Sequence, residues 1–265
     1  MSFNPNELIL EKIRAVEEYD PATNELTGRY TQIEDPSLKT SADATEVTDA
    51  MGATIQTFYN AQKGTFDFTN SLFSLDLAAS QYGSKKVIAS DGEKIIMPVS
   101  EVINIGSDHT AVLKYTPVGV TGAEVKYVKV INANNTFGET YEVSATAGEG
   151  KFTIDAATKT ITLPENATGR LFVNYEKETS TAVQVVKTTD GVPEVKTLLI
   201  HAIFHDPCNK NLVYAGVIRC PRAQIDPSST ELSLKSDGKH AASYVLNKEY
   251  CSDDSKLFDI LVSED

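Results

Sequence analysis

The sequence predicts a mainly β protein: a β-barrel or sandwich with one flanking helix, carrying a small inserted β-sandwich. Three observations lead there. The stretch Val195–Phe204 is dense in β-branched and aliphatic residues, turns through Asp206-Pro207-Cys208-Asn209, and returns over Leu212–Cys220, the pattern of a long hairpin. Between 111 and 175, short alternating runs recur at close, even spacing with Gly and Asn turns between them, the mark of a sandwich. The clearest helical periodicity in the chain runs from Leu72 to Gly83.

Taken in order, Leu8–Val16 is apolar enough for a strand or a short helix, and its spacing leaves both open. Residues 20–50 are rich in Thr, Ser, Asp and Glu, and the Asp20-Pro21 and Asp35-Pro36 pairs signal turns, so a polar surface loop or arm is expected. Thr54–Tyr59 and Thr65–Phe68 form an expected strand pair joined through Lys63-Gly64. Asn70 or Ser71 then caps the helix and Gly83 stops it, with Leu72, Leu75, Ala79 and Tyr82 as the stripe that docks on a sheet.

Short strands are expected at 86–90 and 94–99, then at 111–115, 125–130, 139–143, 151–154, 160–163 and 170–175. The change of texture near 108 and the Asp190–Pro193 turn set the expected domains: 1–108 with 187–265, interrupted by an insert at 109–186. In the C-terminal part, Pro221 is expected to stop the second hairpin strand, Glu231–Lys235 and Lys256–Val262 to add two more, and Asp237–His240 to be a surface turn.

Composition narrows the function classes. The chain has 265 residues, a formal net charge of −13, and 41% hydrophobic residues, enough for a sizeable core. Residues 1–50 hold eleven acids against four bases, and 251–265 hold five against one. Such acidity opposes direct nucleic-acid binding, which works through Lys and Arg displacing counterions. No window approaches the ~20 apolar residues of a membrane span, and no membrane partner is expected. Three cysteines, Cys208, Cys220 and Cys251, fit neither a disulfide framework nor a metal spacing, so an intracellular place of assembly is expected.

His201 and His205 resemble metal ligands by spacing, yet on a strand positions i and i+4 lie about 13 Å apart at ~3.3 Å per residue, too far to share one ion. No phosphate loop, dinucleotide fingerprint, zincin motif or nucleophile elbow is present. No catalytic residue, cofactor or metal is therefore assigned, and the chain is expected not to be an enzyme.

Three segments carry a family resemblance: Thr65–Gly83, with TFDFTNSLFSLDLAASQYG; Lys114–Val118 together with Tyr127–Val130; and Ser229–His240 with Tyr250-Cys251 and Leu257–Ile260. Together they resemble virion structural proteins of tailed bacteriophages, most closely the major tail tube type. The resemblance implies a tube-like β domain that self-assembles into stacked, commonly hexameric rings through which DNA passes without specific binding. It also implies an immunoglobulin-like insert at 109–186, contacts with other tail proteins, assembly in the host cytoplasm and a final place in the virion tail. Long arms bridge successive rings in that family, a role that falls to 20–50 here. Leu198, Ile200, Val213 and Val217 are then the expected subunit-interface positions on the inner strands. The competing reading is a capsid decoration or fibre-associated adhesive protein whose insert binds carbohydrate, with Tyr115, Tyr127, Phe137 and Tyr141 as candidate platform residues.

Overall fold

The computed structural model of the protein describes residues 6–209, 211–228, 230–236, 239–249 and 255–264. It divides into two compact units, Met1–Lys86 with Val185–Asp265, and Val87–Gln184.

In the first unit the ambiguous N-terminal segment is a strand, β1 (Ile9–Tyr19), followed by β2 (Leu26–Tyr30), β3 (Ile33–Thr48) and β4 (Thr54–Asn70). The expected polar loop at 20–50 is thus mostly strand. Likewise, Thr54–Phe68 is a single long strand rather than a hairpin about Lys63-Gly64, because its partner is β3, paired from Ile33↔Asn70 to Thr48↔Thr54. Helix α1 (Leu75–Tyr82) follows.

The chain then crosses the second unit through β5 (Val87–Ile88), β6 (Ile95–Asn104), β7 (Thr110–Val112), β8 (Tyr127–Ile131), β9 (Phe137–Val143), β10 (Lys151–Asp155), β11 (Thr160–Thr162), β12 (Arg170–Thr179) and β13 (Val183–Gln184). It returns with β14 (Val195–His205), β15 (Val213–Ile225), β16 (His240–Leu246) and β17 (Asp259–Ser263).

The first unit's sheet runs β2-β1-β14-β15-β16-β4-β3, with β17 also on β15. Its outermost strands, β2 and β3, are consecutive in the chain and separated only by Thr31-Gln32. Seven flat strands at ~4.8 Å spacing would hold those edges about 29 Å apart, whereas the three Cα steps from Tyr30 to Ile33 reach at most about 11 Å. The sheet must therefore curl until its edges nearly meet, a near-closed barrel. The Ser71 amide donates to the Gln32 carbonyl at 2.9 Å, which extends the β3–β4 pairing into the link between β2 and β3.

Inside lie Val16, Tyr30, Phe66, Phe68, Leu77, Leu198, Ile200, Cys220, Ala223, Tyr244 and Leu246. Burial pushes the Cys220 thiol up to about 12, so it stays protonated and inert. Cys208 is exposed and free, and Cys251 lies outside the described residues.

Pro221 does not end the hairpin strand. Lys196 pairs with Ala223 and Leu198 with Cys220, so Pro221 and Arg222 together oppose Thr197. A bulge of this kind is where a strand tolerates proline, and the Thr197 hydroxyl ties it by donating to the Pro221 carbonyl at 2.9 Å. The expected strand at Glu231–Lys235 reduces to one bridge, Leu232↔His240. His240, expected in a turn, instead opens β16, although Asp237 and Gly238 beside it lie outside the described residues.

The second unit's sheet runs β6-β12-β8-β9-β10-β11-β7, and a small β13-β5 pair stands apart from it. Again the two edge strands, β6 and β7, are consecutive in the chain, so the sheet folds over a core of Val128, Tyr141, Phe152, Ile161, Leu171 and Val173. Its first boundary falls at Val87, not near 108, because β6 pairs with β12 at ten successive positions from Ile95↔Thr179 to Asn104↔Arg170. The second boundary, at Gln184, lies close to the expected 186.

Candidate assembly interface

Two surfaces of the first unit expose apolar side chains, and a buried polar cluster lies within the barrel.

The first surface is the outer half of β3 and β4. Strand β16 covers β4 only from Gly64 to Asn70. Beyond it, Ser41–Thr48 and Thr54–Lys63 pair with each other alone. Ten residues at ~3.3 Å each make a two-stranded ribbon about 33 Å long. Its turn is built by Asp49, whose carboxylate accepts from the amides of Met51 at 2.8 Å and Ala53 at 2.9 Å. Apolar side chains emerge on both faces: Val47 and Phe58 on one, Ile55 and Tyr59 on the other. Ile55 is 68% exposed, Tyr59 74%, and Met51 at the tip 94%. An isolated two-stranded hairpin is marginal in water, and large apolar groups in this setting mark a contact surface.

The second surface is the outward face of the hairpin. Leu198 and Ile200 point inward and are fully buried in the core, while Val213, 55% exposed, and half-buried Val217 point outward. The four expected interface residues therefore lie on opposite faces. The reason is the period-2 alternation of strands: Leu198 pairs with Cys220 and Ile200 with Ile218 on one face, His201 with Val217 and His205 with Val213 on the other.

His201 and His205 meet carboxylates from β1 rather than a metal. His201 Nε2 lies 3.1 Å from Glu17 Oε2 and His205 Nε2 2.5 Å from Glu11 Oε2. Burial pushes the Glu17 carboxyl up, but hydrogen bonds from Tyr19 and His201, the His201 charge, and Arg29 outweigh it and leave it lowered. Among the described residues no group of three or more His, Cys, Asp or Glu converges as metal ligands.

The helix docks differently from the expected stripe. Its N-cap is Ser74, whose hydroxyl accepts from the Leu77 amide at 3.2 Å, so Leu72 precedes the helix and is 61% exposed. Leu75 faces solvent and Tyr82 is half-buried; only Ala79 of the expected four is buried, beside Leu77, Ala78 and Gln81. Gly83 ends the helix as expected, with φ +63°, and a Cβ there would fall 2.1 Å from the Val192 carbonyl oxygen.

Polar latches explain the register. Gln81 Nε2 donates to the Ala241 carbonyl at 2.7 Å, and His240 Nε2 lies 2.8 Å from Gln81 Oε1. Desolvation lowers the pKa of His240, which stays neutral.

Next to these, Glu18 is completely buried and accepts from the Ser80 hydroxyl at 2.6 Å and from the Tyr244 hydroxyl. The Tyr30 hydroxyl sits beside the pair without an aligned partner. Gly28 makes room for it: a Cβ at 28 would stand 2.5 Å from that oxygen and 3.1 Å from Glu18 Oε2.

Desolvation raises the pKa of Glu18 despite hydrogen bonds from Ser80 and Tyr244 that favour the anion. A carboxyl raised in the folded state contributes stability that is complete below its unfolded value and is lost as pH rises through the folded one. Glu18→Gln is therefore expected to flatten the decline of melting temperature on the alkaline side of pH 4.5, measured by thermal unfolding from pH 4 to 9. An unchanged slope would show that Glu18 is ionised at no cost.

A profile of the YomU/Tube protein family matches residues 8–256 of the chain, spanning both units. The chain belongs to the YomU/Tube protein family. A search of curated proteins returns no match. Membership gives this Tube-family chain a structural role in the tail tube of a virion, and with it self-association and association with other tail proteins. The buried Glu18 cluster ties β1, the helix and β16 together through Ser80 and Tyr244.

Proposed function

We propose that this Tube-family subunit closes into rings, commonly six-membered, that stack into a passive conduit for DNA. The β3–β4 ribbon reaches from one subunit onto a neighbour. The ribbon is the observation that carries this reading, because apolar residues on both of its faces leave it unstable unless it lies between partners. The outward face of β14–β15, with Val213 and Val217, supplies a second contact.

The acidic total suits a lumen that repels the DNA backbone, so the polymer slides without sticking. Closing strands into a ring also removes open sheet edges. We assign Val87–Gln184 to the immunoglobulin-like class, decorating the tube; its short strands folded over a single core support that assignment. Host-cytoplasmic assembly and a final place in the tail follow from the same reading.

The test is negative-stain electron microscopy of the purified full chain at rising concentration. Uniform rings or hollow tubes are expected, and a monodisperse monomer at every concentration would contradict self-assembly.

A further inference from the structure

We infer that the outer face of the second unit's sheet is a binding site for an acidic polysaccharide. On this face Val102 of β6 stands directly across from Phe172 of β12, and Phe172 from Lys129 of β8. Phe137 of β9 joins them, its ring edge-on to Phe172 at 5.9 Å. Tyr127 projects on the same side as Lys129, two positions along β8. Phe137 is 60% exposed, Tyr127 58% and Val102 50%. Exposed rings on a rigid sheet offer the electron-rich π face on which the C–H bonds of a pyranose rest.

Charge selects the sugar. The Lys129 ammonium lies over the Phe137 ring, 5.5 Å from its centroid, and the Arg170 guanidinium donates to the Asn135 side-chain oxygen. Among the described residues both cations thus have neutral partners and no carboxylate paired with them, in a chain of net charge −13. Farther along β12 the face turns acidic, with Glu176 and with Glu178 paired to Lys94, and Glu142 stands across from Tyr127 at one edge. The cationic end is therefore a confined patch beside the aromatics. Even with Lys151 beside Glu142 at the edge, three cations are far fewer than the ~6–10 phosphate contacts of a nucleic-acid site. Six residues are likewise few against the ~20–30 a side of a protein interface. Stacking with one or two charge pairs fits a uronate-bearing glycan.

The test uses the full chain in native gels cast with alginate, a polyuronate, or with neutral dextran. Alginate is expected to retard the protein, with dextran having little effect. Phe137→Ala and the double change Lys129→Ala/Arg170→Ala are each expected to weaken retardation at least about tenfold, with unchanged thermal unfolding. Lys114→Ala, an exposed cation over the Tyr115 ring beside the inward-facing Tyr175, is expected to leave it intact. No retardation of the parent protein, equal retardation by dextran, or variants that bind like the parent would each overturn the assignment. The gels are run on the unassembled fraction isolated by size exclusion, so these readouts stand whether or not rings form at higher concentration.

Discussion

Ile200→Ala is expected to destabilise the protein by about 2–5 kcal/mol, the usual cost of emptying a fully buried aliphatic site. Ile200 is fully buried and pairs with Ile218 inside the barrel core. Any loss of tubes in this variant would follow from loss of the fold. Val217→Asp, one strand away and on the opposite face, is expected to cost about 1 kcal/mol or less, yet to impair assembly. Urea unfolding measured beside sedimentation separates the two. Equal stability losses in both variants would show that the outward face is as much a part of the core as the inward one.

This contrast shows what the residues did and did not announce. The β14–β15 hairpin was legible because its apolar runs are long and bounded by a turn. Which of its faces meets the core was not, since both alternate sets are apolar: Leu198 and Ile200 inward, Leu199, Ile203 and Val217 outward.

Strand β16 was missed for a different reason. Its inward residues are His240, Ala242, Tyr244 and Leu246, a set without a hydrophobic signature. Ala242 is small because it pairs with Phe68, whose ring stacks on Tyr244 at 6.1 Å and 11°. The packing partner, absent from local sequence, decides the residue. Strand β3 hid in Thr, Ser and Asp because both faces of the ribbon meet solvent in the single subunit, so no alternation is required of it. In the helix, Gln81 is buried on hydrogen bonds to Ala241 and His240 rather than on apolarity, which moved the docking face away from Leu72 and Leu75.

Phe58→Asp combined with Tyr59→Asp is expected to have the largest effect on assembly and a small one on the barrel. Phe58 and Tyr59 are 52% and 74% exposed, on opposite faces of the ribbon, and contribute nothing to the core cluster. Desolvating a carboxylate against each partner face would cost several kcal/mol per contact, repeated at every subunit of a ring.

The most direct measurement is sedimentation velocity with electron microscopy on this double variant and the parent chain, matched for thermal unfolding. The account predicts rings or tubes from the parent, and monomers from a variant that melts at nearly the same temperature. Tubes of unchanged form from the variant would contradict the claim that the ribbon carries the assembly.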